Sequence, residues 1–362
     1  MLSKLEALLE AGQSVWLDYI RRDLLGSGEL RGLVDDGVRG LTSNPTIFQK
    51  AIAGTDLYDD EIRHHSGEPP ERIFEALAVA DIRAAADVLA DVHRESNGRD
   101  GFVSLEVSPL LADDAERTIA EARRLWGLVD RPNVMIKVPA TDAGVVALER
   151  LIAEGINVNA TLMFSLAHYE AIAGAYIRGV EQAADPSAVA SVASFFVSRV
   201  DTKTDAALEK VGTPEALALR GTIAVANAKV TYRRYRELFE DRPFAIAARR
   251  GATPQRPLWA STSTKNPAYR DVLYVESLIG PNTVNTLPPT TLDAFIDHGE
   301  VIPNALMVGV DDAEGRLAAL TDLGIDFDEI TQQLQIEGVA AFAASFDELL
   351  RAISDKQARL VR

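Results

Sequence analysis

The sequence predicts an α/β protein built as a closed (β/α)8 barrel, a TIM barrel with extra helices, and three observations predict it. Short apolar runs rich in β-branched residues recur eight times in the 362 residues. They are near-continuously apolar rather than alternating, which suits parallel strands covered on both faces, and helix-forming stretches separate them as parallel crossovers require. Many of the runs end in polar helix-start signals, which in such a barrel gather polar side chains at the C-terminal rim, where active sites sit. An open doubly wound sheet is the alternative, but eight runs in regular alternation favour closure.

The runs follow in order. SVWLD (14–18) comes first, and GVRGLTSN (37–44) second, handing over to a helix at Asn44-Pro45. FVSLEVS (102–108) ends at Ser108-Pro109, NVMIKVPA (133–140) at Thr141-Asp142, and INVNATLMF (156–164) at Ser165. A polar cap, or Pro at the first helical position, is a helix-start signal in each case. VASVASFFV (189–197), PLWAS (257–261) and NTVNT (282–286) complete the eight. Residues 201–254 exceed a normal crossover and read as a helical insertion, with Leu217, Ile223, Tyr232, Tyr235 and Leu238 spaced for buried faces. From Asp326 to 362, Val339, Phe342, Phe346 and Leu349 recur at helical spacing, which predicts a C-terminal helix docked on the barrel. The expectation is one barrel domain over 1–362 carrying these two additions.

Composition narrows the function. With 47% hydrophobic and 25% charged residues the chain matches an ordinary soluble protein with a large core. A formal charge of −17 opposes attraction to nucleic acid and to anionic membranes, so neither is an expected partner. A phosphate ligand would need a local field from a few Arg or Lys side chains and helix N-termini. Glu6, Glu10 and Asp18 interrupt the apolar residues of the N-terminal stretch, unlike a signal-peptide core or a membrane span. There is no cysteine, which excludes thiolate nucleophiles, disulfides and Cys-based zinc sites and fits a reducing cytoplasm. The five histidines, His64, His65, His93, His168 and His298, show no ligand spacing. Gly26, Gly28 and Gly32 have the wrong spacing for a dinucleotide loop, and no GxxxxGK[ST] run occurs, so no cofactor is expected.

Lys137 is the most informative residue, because an ammonium inside an apolar strand is costly unless it is paired or used. A lysine amine that is neutral near pH 7 attacks a ketone carbonyl. The bland alternative is a strand-end lysine pointing to solvent. Three further polar side chains shift the balance: Asp18 ends the first run, Glu106 lies near the end of the third, and Thr161 stands within the fifth. Schiff-base chemistry moves protons during carbinolamine formation, dehydration and carbon–carbon cleavage, and it needs these residue types near the amine. Lys203 is the rival nucleophile, but its flanking carboxylates favour a solvated ammonium. Arg21 and Arg22 read as helix surface.

LTSNPTIF, SLEVSP, NVMIKVPAT, GINVNATLMFS and SFFVSRVD occur in that order and resemble the signature segments of transaldolases, over residues 13–290. The lysine segment and GINVNATLMFS are the specific ones. The chain looks closer to the long bacterial members than to the short fructose 6-phosphate aldolases. The resemblance implies a transferase of the pentose phosphate pathway that moves a dihydroxyacetone unit between sugar phosphates on a Schiff-base lysine of the fourth strand, here Lys137. It further implies Asp18 as the acid/base for the carbon–carbon bond, Glu106 and Thr161 acting through a bound water, and Asn44 and Asn159 holding substrate hydroxyls. For Asn44 a helix N-cap is an equal rival. Ser194, Arg199 and Ser261 match the phosphate-binding pattern. Family members often carry an arginine soon after the seventh strand; here Lys265 stands in its place, a point charge without the bidentate fork. A Schiff-base aldolase of the same architecture and a non-catalytic sugar-phosphate-binding barrel are the rival functions, and monomer and homodimer both stay open.

Overall fold

In the computed structural model, which describes residues 3–360, eight parallel strands close into a barrel in chain order. They are β1 (Gln13–Asp18), β2 (Gly40–Thr42), β3 (Phe102–Glu106), β4 (Val134–Pro139), β5 (Val158–Met163), β6 (Ser191–Phe196), β7 (Arg256–Ala260) and β8 (Thr283–Leu287). β8 returns to pair with β1, so no edge is left open. Every one of the eight runs forms its strand, and the closed barrel expected from them is present.

Two local expectations are corrected. The second run yields a strand of three residues only. Gly37 sits at φ +120°, where a Cβ would lie 2.8 Å from that of Leu5, and the Asn44 side chain caps the next helix, so both ends of the run leave the ladder. After Ser108-Pro109 the chain makes a 3-10 turn, Pro109–Leu111, and the helix proper starts at Ala115 behind an Asp114 cap. The caps at Asn44, Thr141 and Ser165 form as the sequence implies, accepting from Ile47, Gly144 and His168 N–H groups.

Between β6 and β7 the chain runs through helices Ser198–Val211, Pro214–Ala218, Ile223–Phe239 and Ala245–Arg249. Ile223, Tyr232 and Tyr235 are buried there, but Leu217 is 39% exposed, because its helix is five residues long and buries only Ala216. Two buried carboxylates tie these helices down. Asp201 accepts from the Ala224 N–H and the Tyr274 hydroxyl, and Asp205 from the Gly221 N–H and the Tyr269 hydroxyl.

The helix Phe327–Leu360, 34 residues and so about 50 Å long, lies across the C-terminal face of the barrel. Phe346 and Phe48 both meet the ring of Phe74 edge-on, joining this helix to Pro45–Ala53 and Pro70–Val88. At its far end the buried Lys356 ammonium donates to the Thr55 carbonyl and Asp59 carboxylate, both at 2.6 Å. The bond bridges 297 positions of sequence. Among the described residues no helix is long and apolar enough to cross a membrane.

Candidate active site

Parallel pairing sets the site. Register places Glu106 of β3 beside Lys137 of β4, and Lys137 beside Asn159 of β5; on the opposite side Asp18 of β1 pairs with Thr42 of β2. Alternate residues of a strand share a face, so Asn159 and Thr161 point the same way. The polar residues that stood out in apolar runs therefore converge inside the C-terminal mouth of the barrel. Above them opens a cavity of 420 Å³ whose lining includes Asp18, Asn44, Lys137, Ser194, Arg199, Ser261 and Lys265.

Lys137 is only 4% exposed. Its Nζ donates to the Ser43 carbonyl at 3.2 Å and stands 3.5 Å from Glu106 Oε2, with the Phe342 ring 5.7 Å away as a third neighbour. An ammonium held this way has one carboxylate, one carbonyl dipole and one aromatic face in place of its hydration shell. Burial pushes Glu106 up to about 7, against the pull of Lys137. Asp18 is also raised by burial, opposed by Lys137, by the hydrogen bond that the Thr42 hydroxyl donates at 2.8 Å, and by Lys265. The hydroxyls of Thr42 and Thr286 are 2.6 Å apart, so a short chain of hydroxyls leads to the Asp18 carboxyl.

Thr161 is fully buried, and its Oγ1 and Glu106 Oε2 are buried oxygens without a hydrogen-bond partner among the described residues. Buried polar atoms are seldom left so. Asn159, by contrast, is committed within the barrel: its amide donates to Ser104 Oγ at 3.0 Å and accepts from Ser194 Oγ at 2.7 Å. Ser194 reaches the cavity wall and Asn159 does not line it. Asn44 does line it while its Oδ1 caps the helix at Ile47, so the amide nitrogen is the atom it has to offer a ligand.

The outer part of the cavity is cationic. Arg199, in the first turn of the helix after β6, has its ordinary pKa lowered by burial, and its guanidinium stands 5.4 Å from the Phe196 ring. Lys265 is lowered by burial and then by the nearby positive charge of Arg199, and it donates to Ser263 Oγ at 2.6 Å. Ser261, directly after β7, has φ +55° and pairs with Ser198 through their hydroxyls at 3.0 Å. Lys50 of helix Pro45–Ala53 lines the same mouth. A chain of net charge −17 thus places three cations around one opening, together with the N-terminus of a 14-residue helix.

Lys50, Thr42, Thr286 and Phe342 belong to this site and were not singled out in the sequence. A lysine on an amphipathic helix, a threonine in a strand and a phenylalanine at a core-facing position carry no local signal of proximity to Lys137. Lys203, the rival amine, does not line the cavity and pairs with Glu337. Arg22 is tied to Asp81 and Glu61 and packs over Tyr58, a structural role.

A buried amine, two carboxylates whose pKa values burial raises, and a cationic mouth can together form and hydrolyse an imine and exchange protons with a phosphorylated substrate. Comparison with known proteins points the same way. The family model described as Transaldolase/Fructose-6-phosphate aldolase matches residues 15–353. A protein named Transaldolase from Frankia alni is 50% identical, with 99% of each chain covered. Another Transaldolase, from Thermobifida fusca, is 48% identical over 99% of each chain, and a Transaldolase 2 from a Nostoc strain is 44% identical over 98% of each.

Proposed function

The chain belongs to the transaldolase/fructose-6-phosphate aldolase family, and from that premise and the geometry above we propose that it is a transaldolase whose Schiff-base lysine is Lys137. The carrying observation is a buried amine beside a buried carboxylate on the floor of a cavity ringed by Arg199, Lys265 and Lys50.

The Lys137 amine attacks the ketone of a donor such as sedoheptulose 7-phosphate or fructose 6-phosphate, and loss of water leaves the Schiff base. Glu106 and Thr161, acting through a bound water, supply and remove the protons of this step. Asp18 takes the proton from the hydroxyl beyond the bond to be cleaved, the carbon–carbon bond breaks into the imine, and an aldose phosphate leaves. The three-carbon enamine then attacks an aldehyde acceptor such as glyceraldehyde 3-phosphate or erythrose 4-phosphate. Asp18 returns its proton to the new hydroxyl, and hydrolysis releases the product ketose. Asn44 holds a substrate hydroxyl, Asn159 braces Ser194 from behind, and Ser194, Arg199, Lys265 and Ser261 take the phosphate. We place the enzyme in the cytoplasm, which its lack of cysteine supports.

Borohydride reduction in the presence of fructose 6-phosphate, followed by peptide mass spectrometry, tests the reading. A three-carbon adduct on Lys137 is expected; an adduct on another lysine would overturn the assignment. Release of dihydroxyacetone from donor alone, at a rate near full turnover, would make the enzyme an aldolase instead of a transferase.

Two results follow from the electrostatics. Arg199→Ala should raise KM for phosphorylated donors by about ten- to a hundredfold, the loss of a charge-assisted contact, with little change in kcat. A KM that stays put would remove Arg199 from the phosphate site. With its proton retained to about 7, Glu106 is neutral on the acid side and a base on the alkaline side. Turnover should therefore rise with pH through an ionisation near 7, and Glu106→Gln should flatten that limb; a limb of unchanged position in the variant would assign it to another group.

A further inference from the structure

Beyond the residues assigned above, the helix Phe327–Leu360 contributes a side chain to the inner structure of the site. Gln335 is buried, and its Nε2 donates to the Ala140 carbonyl at 2.8 Å and to the Leu162 carbonyl at 3.2 Å. Ala140 directly follows β4, and Leu162 lies within β5 next to Thr161. The Ala140 N–H itself donates to the Thr161 carbonyl at 2.7 Å, so one amide group closes a ring of backbone bonds around that residue.

The backbone there needs such a clamp. Leu162 has φ +62°, a left-handed conformation that a branched side chain seldom adopts, and the β5–β6 register shifts between Ala160 and Met163. An irregularity of this kind re-aims the neighbouring side chain, and here the neighbour is Thr161, whose buried Oγ1 has no hydrogen-bond partner among the described residues. The Leu162 carbonyl, turned out of the ladder, is received by Gln335. One turn further along the helix, Gly338 approaches so closely that an added Cβ would lie 3.0 Å from Leu162 Cδ2. The helix thus holds Leu162 by its carbonyl and by its side chain.

We propose that Gln335 is a positioning residue for the reaction: by bridging the Ala140 and Leu162 carbonyls it fixes the left-handed peptide that aims the Thr161 hydroxyl at the Lys137 amine. The proposal rests on the reading of Thr161 as a participant in Schiff-base formation and hydrolysis. Gln335 touches no substrate and acts through Thr161.

Gln335→Met keeps the side-chain length and removes the donor. The expected result is a fall in kcat of about tenfold, with KM for fructose 6-phosphate within about twofold of the parent and a parallel slowing of adduct trapping. Placed in a Thr161→Val background, Gln335→Met should cause no further loss, because the group it aims is already gone. A structural defect would lower both backgrounds alike, so equal losses in the two would overturn the proposal, as would an unchanged kcat in Gln335→Met alone. A Thr161→Val enzyme with full turnover would overturn the role of Thr161 and this proposal together. A slow Thr161→Val enzyme beside a normal Gln335→Met enzyme would overturn the proposal alone. If melting curves show that Gln335→Met has lost the fold, Gly338→Ala presses on the same Leu162 while raising helix propensity. It should give the same kcat-selective, non-additive loss, and an unchanged kcat there would equally refute the clamp.

Discussion

Lys137→Met should lower turnover on the order of a million-fold, the scale on which deletion of a covalent nucleophile is felt, while the barrel stays folded. Methionine fills nearly the same volume, and its thioether can take the place of the lysine stem against Phe342. The ammonium that Ser43 and Glu106 hold is lost, but burial already favours the neutral form of Glu106, so the partner left behind need not stay charged. Circular dichroism and melting should therefore show a native fold. Borohydride with fructose 6-phosphate should leave no adduct on any lysine, whereas wild-type protein should acquire one on Lys137. Residual turnover within a hundredfold of the parent would show that another amine serves, or that no imine is formed.

Asp18→Asn should divide the reaction in two. Asn preserves the hydrogen bond with Thr42 and the side-chain volume but cannot take a proton from the substrate hydroxyl. Imine formation, assigned to Lys137, Glu106 and Thr161 in the proposed mechanism, should continue, while carbon–carbon cleavage should slow by about 10²- to 10⁴-fold, the usual contribution of a positioned acid/base. Reduction would then trap the uncleaved six-carbon donor on Lys137 in place of the three-carbon fragment, a mass difference that intact-protein spectrometry resolves directly. A three-carbon adduct formed at the normal rate would move the acid/base role away from Asp18, and no adduct at all would mean that Asp18 is needed for the imine.

Much of this site could be read from the sequence because parallel strands convert spacing along the chain into position around a ring. Lys137, Glu106, Thr161 and Asp18 each broke an apolar run near its C-terminal end, and in a closed barrel those ends share one mouth. The fold was legible for the same reason: eight runs with helices between them have few other ways to bury their faces. What could not be read depends on contacts remote in sequence. Phe342 has the periodicity of a core residue whether it packs on a barrel wall or over a catalytic amine. Lys50 lies on a helix whose start was visible at Asn44-Pro45, but its tilt toward the mouth is fixed by packing against the C-terminal helix. Leu217 shows the opposite failure, since helical spacing alone gave no hint that its helix would stop after five residues. Nor could hydropathy tell that Asn159 spends both ends of its amide on Ser104 and Ser194.

The bond from Lys356 to Asp59 has a consequence for the birth of the enzyme. A ribosome adding roughly 5–20 residues each second needs some tens of seconds to cover the distance between those two positions. Strands β3 to β8 are themselves made in that interval, and after Leu287 the completed set of strands still has no roof, with the Phe74 ring that will receive Phe346 left wet. Contacts so distant in sequence are also the slow ones to form once both partners exist. Closure of the roof is thus a late event in maturation, and until it happens the Phe74 ring is uncovered and Lys137 lacks its Phe342 neighbour.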